Sequence, residues 1–351
     1  MMLQGHFIDT LLAIEYRDPD NIAYSTWLYF RGITAPVFFT ISGLIFTYLL
    51  IKAKEKGTLS MRIRKGLVRG LMLIGIGYAL RIPIFRWLTG NFGTYFMVID
   101  VLQCIGLSLI LIVCIYLLAR KKTLMFSVVM LCLGTLIFLC EPLYRTYSAE
   151  GIPLFFANYL TKVNGSVFTI LPWFGYMAYG AFIATLFYGY LTRPKFKTGL
   201  ITGFFVTGLV LVYGSTPVFL ELAKLTNWTL LTEVANFNYL FIRLGNVLVI
   251  FGLFYAFEAY LKQPVVLKIG QKTLSIYVIH FILLYGSFTG LGLNQILGKN
   301  LTPFEAIFGA ICFLISVSLI SIYIIKANTQ IYKYIIDKLH YLKSLTKSLN
   351  N

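Results

Sequence analysis

Apolar stretches long enough to cross a bilayer alternate along this chain with short connectors, and every second connector carries most of the Lys and Arg. Lys52, Lys54, Lys56, Arg62, Arg64 and Lys65 fill the first of these. Arg120, Lys121 and Lys122, then Arg193, Lys195 and Lys197, then Lys262, Lys268 and Lys272, and finally the tail from Lys326 to Lys347 fill the others. The intervening connectors hold Asp18, Asp20, Glu141, Glu150, Glu221, Glu233 and Glu305. Cations beside spanning segments stay on the cytoplasmic face, so the alternation predicts both count and orientation. It points to an all-α polytopic transmembrane helix bundle of about 9–10 spanning helices, with the C-terminus cytoplasmic.

The bulk numbers exclude the alternatives. The 351 residues are 58% hydrophobic and only 12% charged, which no water-soluble packing of this size accommodates. A formal charge of +17 suggests nucleic acid in a soluble chain, but here the cations form a collar beside apolar spans. The expected partner is therefore the lipid bilayer, not a nucleic acid. Cys104, Cys114, Cys132, Cys140 and Cys312 lie in or at the ends of apolar spans without CxxC spacing. They read as inert buried thiols, with no metal site and no disulfide framework expected. No basic region precedes the N-terminal apolar run, so no cleavable signal peptide is expected.

The expected spans are residues 27–51, 67–88, 99–119, 123–140, 166–190, 199–220, 238–261, 271–290 and 304–326. Residues 1–15 are apolar but short, about 22 Å as a helix. They read as the outer part of a first spanning helix lacking its inner half, or else as a half-inserted helix. Residues 1–326 then form one membrane domain, and 327–351 a cytoplasmic basic amphipathic tail attracted to anionic lipid. The outer connectors are aromatic, as interfacial or re-entrant pieces are. No strand pattern, second domain or clear internal repeat is seen.

Charges within hydrocarbon are costly, which makes each a functional candidate. His6 and Asp9, three residues apart, share one helix face and suit a general base with its orienting carboxylate. An interfacial pair capping a helix end is the equal alternative. Arg31, beside Pro36 and the small residues Gly32, Ala35, Ser42 and Gly43, either snorkels or binds an anion. Asp100 and Gln103 open a helix, where an acid also serves the helix dipole. Arg243, with Asn246 one turn on, needs a counter-anion; Asp9 and Asp100 are candidates, and a substrate group is the other. His280 lies near mid-span, as hydrogen-bonded packing or as a second base.

These residues occur in a recognisable order: Gly5-His6; Arg31, Ala35-Pro36, Phe38-Phe39 and Ser42-Gly43; Asp100-Val101-Leu102-Gln103 and Gly106; Leu171-Pro172-Trp173 and Gly175-Tyr176; Thr273-Leu274-Ser275-Ile276-Tyr277 and His280. Over residues 1–290 the order resembles the membrane acyltransferases of the heparan-α-glucosaminide N-acetyltransferase type, and more distantly the acyltransferase-3 family. The resemblance implies transfer of an acetyl or other acyl group from cytoplasmic acyl-CoA, as co-substrate and without a metal, to a sugar or glycan across the membrane. It implies His6 as the catalytic histidine; the residues themselves then suggest His6 as base or acyl carrier, Asp9 as its orienter, Arg243 or Asn246 as stabilising donor and His280 as a supporting or alternative base. Arg31, Asp100, Gln103, Trp173 and Asn246 become acceptor-binding candidates, and Arg62, Arg64 and Lys65 candidates for the CoA phosphates. The chain departs from the family in lacking the basic-acidic start of the first helix and the extended extracytoplasmic region of the lysosomal relatives. A bacterial inner membrane is the expected location, and a homodimer is compatible with this architecture. The competing class is a transporter or flippase of a lipid-linked sugar, disfavoured by the absence of acidic residues at mid-span.

Overall fold

In hydrocarbon a backbone has only itself to hydrogen-bond, which leaves helices as the economical solution. The computed structural model describes residues 1–323, and they are helical throughout apart from connectors and one isolated bridge between Leu12 and Leu301. The expected tail at 327–351 lies outside the described residues. The main helices are α1 (Met2–Leu11), α2 (Ile22–Glu55), α3 (Leu59–Ala79), α4 (Val101–Leu118), α5 (Thr123–Leu139), α6 (Ile170–Tyr190), α7 (Phe196–Thr226), α8 (Tyr239–Ala256), α9 (Pro264–Gln271), α10 (Thr273–Tyr285) and α11 (Pro303–Tyr323).

Among the described residues six segments are long and apolar enough to cross a membrane: α2, Thr94–Leu118 (which contains α4), α6, α7, α8 and α11. The pair α9 and α10, bent by 65°, makes a seventh if counted as one span. The chain is thus an all-α, multi-pass membrane protein, with fewer helices passing on length and composition than the sequence suggested. Two expected spans account for most of the difference. The stretch 67–88 is realised as α3, shifted toward the N-terminus, so that Arg62, Arg64, Lys65 and Arg69 fall inside the helix. Pro83 then interrupts the chain before the short helix Ile84–Leu88. The stretch 123–140 is realised as α5, a helix of 17 residues. α1 spans 10 residues, about 15 Å.

The basic connector 52–65 is also mostly helix. α2 continues to Glu55, and the turn proper is Lys56 to Thr58, with Gly57 at φ +67°.

The described residues form two compact units, Pro19–Ala259 and Met1–Asp18 together with the chain from Tyr260 onward. In the larger unit, the Lys- and Arg-rich turns meet at one end: Lys54 Nζ donates to the Lys121 carbonyl at 2.8 Å, and the Tyr188 hydroxyl to Glu55 at 2.7 Å. Its helices pack at backbone contact. A Cβ at Gly180 of α6 would strike the Thr40 carbonyl of α2, and one at Gly43 of α2 would strike the Met177 carbonyl of α6. Only glycine permits that approach, which gives apolar helices dispersion contact where no hydrophobic drive exists. α7 carries a π turn at Val210–Gly214. In the smaller unit, α1, α10 and α11 share a core of Leu3, Phe7, Leu11, Ile276, Leu284, Ala310, Phe313 and Val317.

Candidate active site

In the smaller unit the two candidate histidines, 274 positions apart in the chain, come face to face. The His6 ring on α1 stacks on the His280 ring of α10, with centroids 5.2 Å apart and an interplanar angle of 26°. His280 is fully buried, its Nδ1 3.3 Å from the Ile276 carbonyl one turn back, and Tyr277 meets it edge-on at 5.0 Å. His6 is half-buried. Its Nδ1 lies 3.2 Å from the hydroxyl of Tyr285, the last residue of α10, and that oxygen accepts from buried Thr10 of α1 at 3.3 Å. Neither Tyr285 nor Thr10 was among the sequence candidates. No local pattern marks them, because their significance arises only where α1 and α10 meet.

Asp9, three residues on from His6, is also met by a cation from beyond the helix. Arg17 folds back over the end of α1, donating to the Asp9 carbonyl oxygen at 2.8 Å and standing 3.9 Å from its carboxylate.

In the larger unit, Asp100 opens α4 as its N-cap. Its side chain accepts from the Val101 N–H, and Gln103 Oε1 accepts in turn from the Asp100 N–H, completing a capping box. The same carboxylate pairs with Arg81 at 2.9 Å, both side chains largely buried. Asp100 is therefore the partner of Arg81 and not of Arg243, a correction to the expected counter-anion. The helix cap was legible locally; the ion pair depended on how α3 ends. Trp173 sits in an aromatic cluster with Phe168 (4.8 Å), Phe39 (5.1 Å) and Tyr176 (5.8 Å). Its indole Nε1 is buried and makes no hydrogen bond among the described residues.

Arg31 is exposed on α2, with its guanidinium 5.9 Å from the Trp27 ring. Arg243 and Asn246 face α2 from α8. The Tyr29 hydroxyl donates to Asn246 Oδ1 at 2.8 Å, and the Arg243 guanidinium lies against Gly32, where a Cβ would come within 3.6 Å of Nη2. That register, 29 with 246 and 32 with 243, is an antiparallel crossing. Near the same end of α8, Glu141 is buried and bonded by Arg145, whose Nε reaches both carboxylate oxygens at 2.9 and 3.0 Å; Tyr239 donates to it at 3.4 Å. At the opposite, basic end, Arg64 and Lys65 are exposed on α3, while Arg62 folds onto the Phe46 ring at 5.9 Å. Among the described residues no cluster of three or more His, Cys, Asp or Glu is arranged to hold a metal ion.

Residues 1–221 match the family model described as heparan-alpha-glucosaminide N-acetyltransferase, catalytic. No match is found among curated proteins or solved structures.

Proposed function

The chain belongs to the heparan-alpha-glucosaminide N-acetyltransferase catalytic family, a membrane acetyltransferase class, and we propose that it moves an acetyl group from acetyl-CoA to a sugar or glycan hydroxyl or amine, with His6 as the base. The observation that carries this reading is the seating of His6. It lies within the family-matched region, half-buried, between the His280 ring and the Tyr285 hydroxyl.

The chemistry follows from that seating. With Nδ1–H donating to the Tyr285 oxygen, the lone pair resides on Nε2. Nε2 takes the proton from the acceptor as its oxygen or nitrogen attacks the thioester carbonyl. The C–S bond breaks, CoA leaves as thiolate, and the imidazolium proton returns to it as a thiol. Stacking against the fully buried His280 keeps water from one face of the imidazole. The basic end of the larger unit, with Arg64 and Lys65 exposed, suits the phosphates of CoA. The positive-inside rule favours a cytoplasmic position for that end, and the proposal takes the acceptor from the far side of a bacterial inner membrane.

The test uses the full chain in nanodiscs, radiolabelled acetyl-CoA and glycans extracted from cell envelopes. Label transfer is expected for the native chain and abolished in His6→Ala, with insertion and thermal unfolding little changed. Undiminished transfer in that variant removes His6 from the mechanism.

A further inference from the structure

Arg243 makes no hydrogen bond and no ion pair among the described residues, although it sits in the second turn of a membrane-spanning helix. Its guanidinium lies 5.2 Å from the Tyr239 ring and against the bare surface of Gly32. A guanidinium in such a position ordinarily has an anion beside it. The one buried carboxylate in the neighbourhood, Glu141, is already committed to Arg145. A further cation, Lys162, lies within electrostatic reach of both Glu141 and Arg243, and its pKa is lowered by burial first, with repulsion from Arg243 adding to it. Glu233 also acts on Arg145, so three cations, Arg145, Arg243 and Lys162, stand against two carboxylates, and the cluster is short of negative charge.

The geometry offers donors to whatever supplies that charge. Asn246 is on the same face of α8, three residues on. Its oxygen is occupied by the Tyr29 hydroxyl, which leaves the amide N–H groups for another acceptor. Gly32 keeps the space in front of the guanidinium clear of side chain. We propose that Arg243 and the Asn246 amide form a binding site for an oxyanion, a phosphate or carboxylate. Both residues lie beyond the family-matched segment 1–221, so this is a property of this chain's own C-terminal half.

The experiment measures binding with no acyl donor present. The full chain is reconstituted in phosphatidylcholine nanodiscs, and its thermal unfolding is followed with inorganic phosphate, glucuronate or glucose. Phosphate or glucuronate is expected to raise the unfolding temperature with concentration, and glucose is not. Arg243→Gln is expected to weaken the response about tenfold or more, the worth of charge-assisted hydrogen bonds. Asn246→Asp keeps an acceptor for Tyr29 and places a carboxylate beside the guanidinium. It should unfold at a higher temperature and lose the anion response, which keeps the test decisive if Arg243→Gln does not fold. Nanodiscs doped with phosphatidylglycerol separate the sources: a lipid phosphate in the site abolishes the response to soluble anions, whereas a glycan carboxylate site keeps it. No anion response, or one that survives both substitutions, overturns the proposal.

Discussion

Tyr285→Phe isolates the proposed orientation of His6 with little change in packing. The phenyl ring keeps its place against Phe281, 4.9 Å between centroids, and loses only the oxygen. That oxygen is bonded to His6 Nδ1 at 3.2 Å and accepts from Thr10 at 3.3 Å. In the ground state these are neutral hydrogen bonds, each worth roughly 0.5–1.5 kcal/mol, so the stability loss should be about 1–3 kcal/mol at most. The catalytic effect is larger. When His6 takes the acceptor's proton, the bond from Nδ1 becomes charge-assisted, worth roughly 1.5–3 kcal/mol. At 1.36 kcal/mol per tenfold, kcat should fall about 10- to 150-fold. KM should barely move, because the bond strengthens only as charge develops. Initial rates over a range of acetyl-CoA and acceptor concentrations measure the split. Nitrogen-15 spectra of histidine-labelled protein provide a readout that needs no turnover: His6 should be protonated at Nδ1 in the native chain and redistribute toward Nε2–H in the variant. An unchanged kcat, a rise in KM alone, or a native His6 already protonated at Nε2 would refute the orientation argument.

Two further outcomes follow from the larger unit. Gly180→Ala places a methyl on the Thr40 carbonyl, with the Thr40 carbon at 2.8 Å and the Leu44 nitrogen at 2.9 Å, both backbone atoms that cannot swing aside. Overpacking of about 1–3 kcal/mol should outweigh the roughly 1 kcal/mol gained in helix propensity, and an unfolding temperature in detergent at or above that of the native chain would contradict it. Lys162→Met tests the charge imbalance through pH. Because the folded pKa lies below the ordinary 10.5, the unfolded chain holds this proton more tightly. The charge is thus a cost to the folded state below the lowered pKa, and that cost is relieved as pH climbs toward 10.5. The native chain should gain stability across that alkaline window, while the variant starts more stable at neutral pH and gains less; identical pH profiles would remove Lys162 from the cluster.

What one dimension could carry was written in hydropathy and charge. Each apolar run and its basic flank are local quantities, so the all-helical, multi-pass class followed from them, as did the gathering of cationic turns that Lys54 and Lys121 display. The cap at Asp100 was equally legible, because a capping box is complete within four residues. Helix register was less so. α3 begins among its arginines because long cationic side chains can lie along a helix and reach back to water, and hydropathy alone does not place that boundary. The chemistry depended on contacts between distant segments. Spacing within α1 offered Asp9 to His6, but the stacked ring and the hydroxyl at its Nδ1 both come from α10, where no spacing within α1 could point. Asp100 met Arg81 because α3 ends beside the start of α4, which left Arg243 without the carboxylate its composition seemed to offer. A residue's charge is fixed by its type, but its partner is fixed by which helices cross, and only the packed structure decides that.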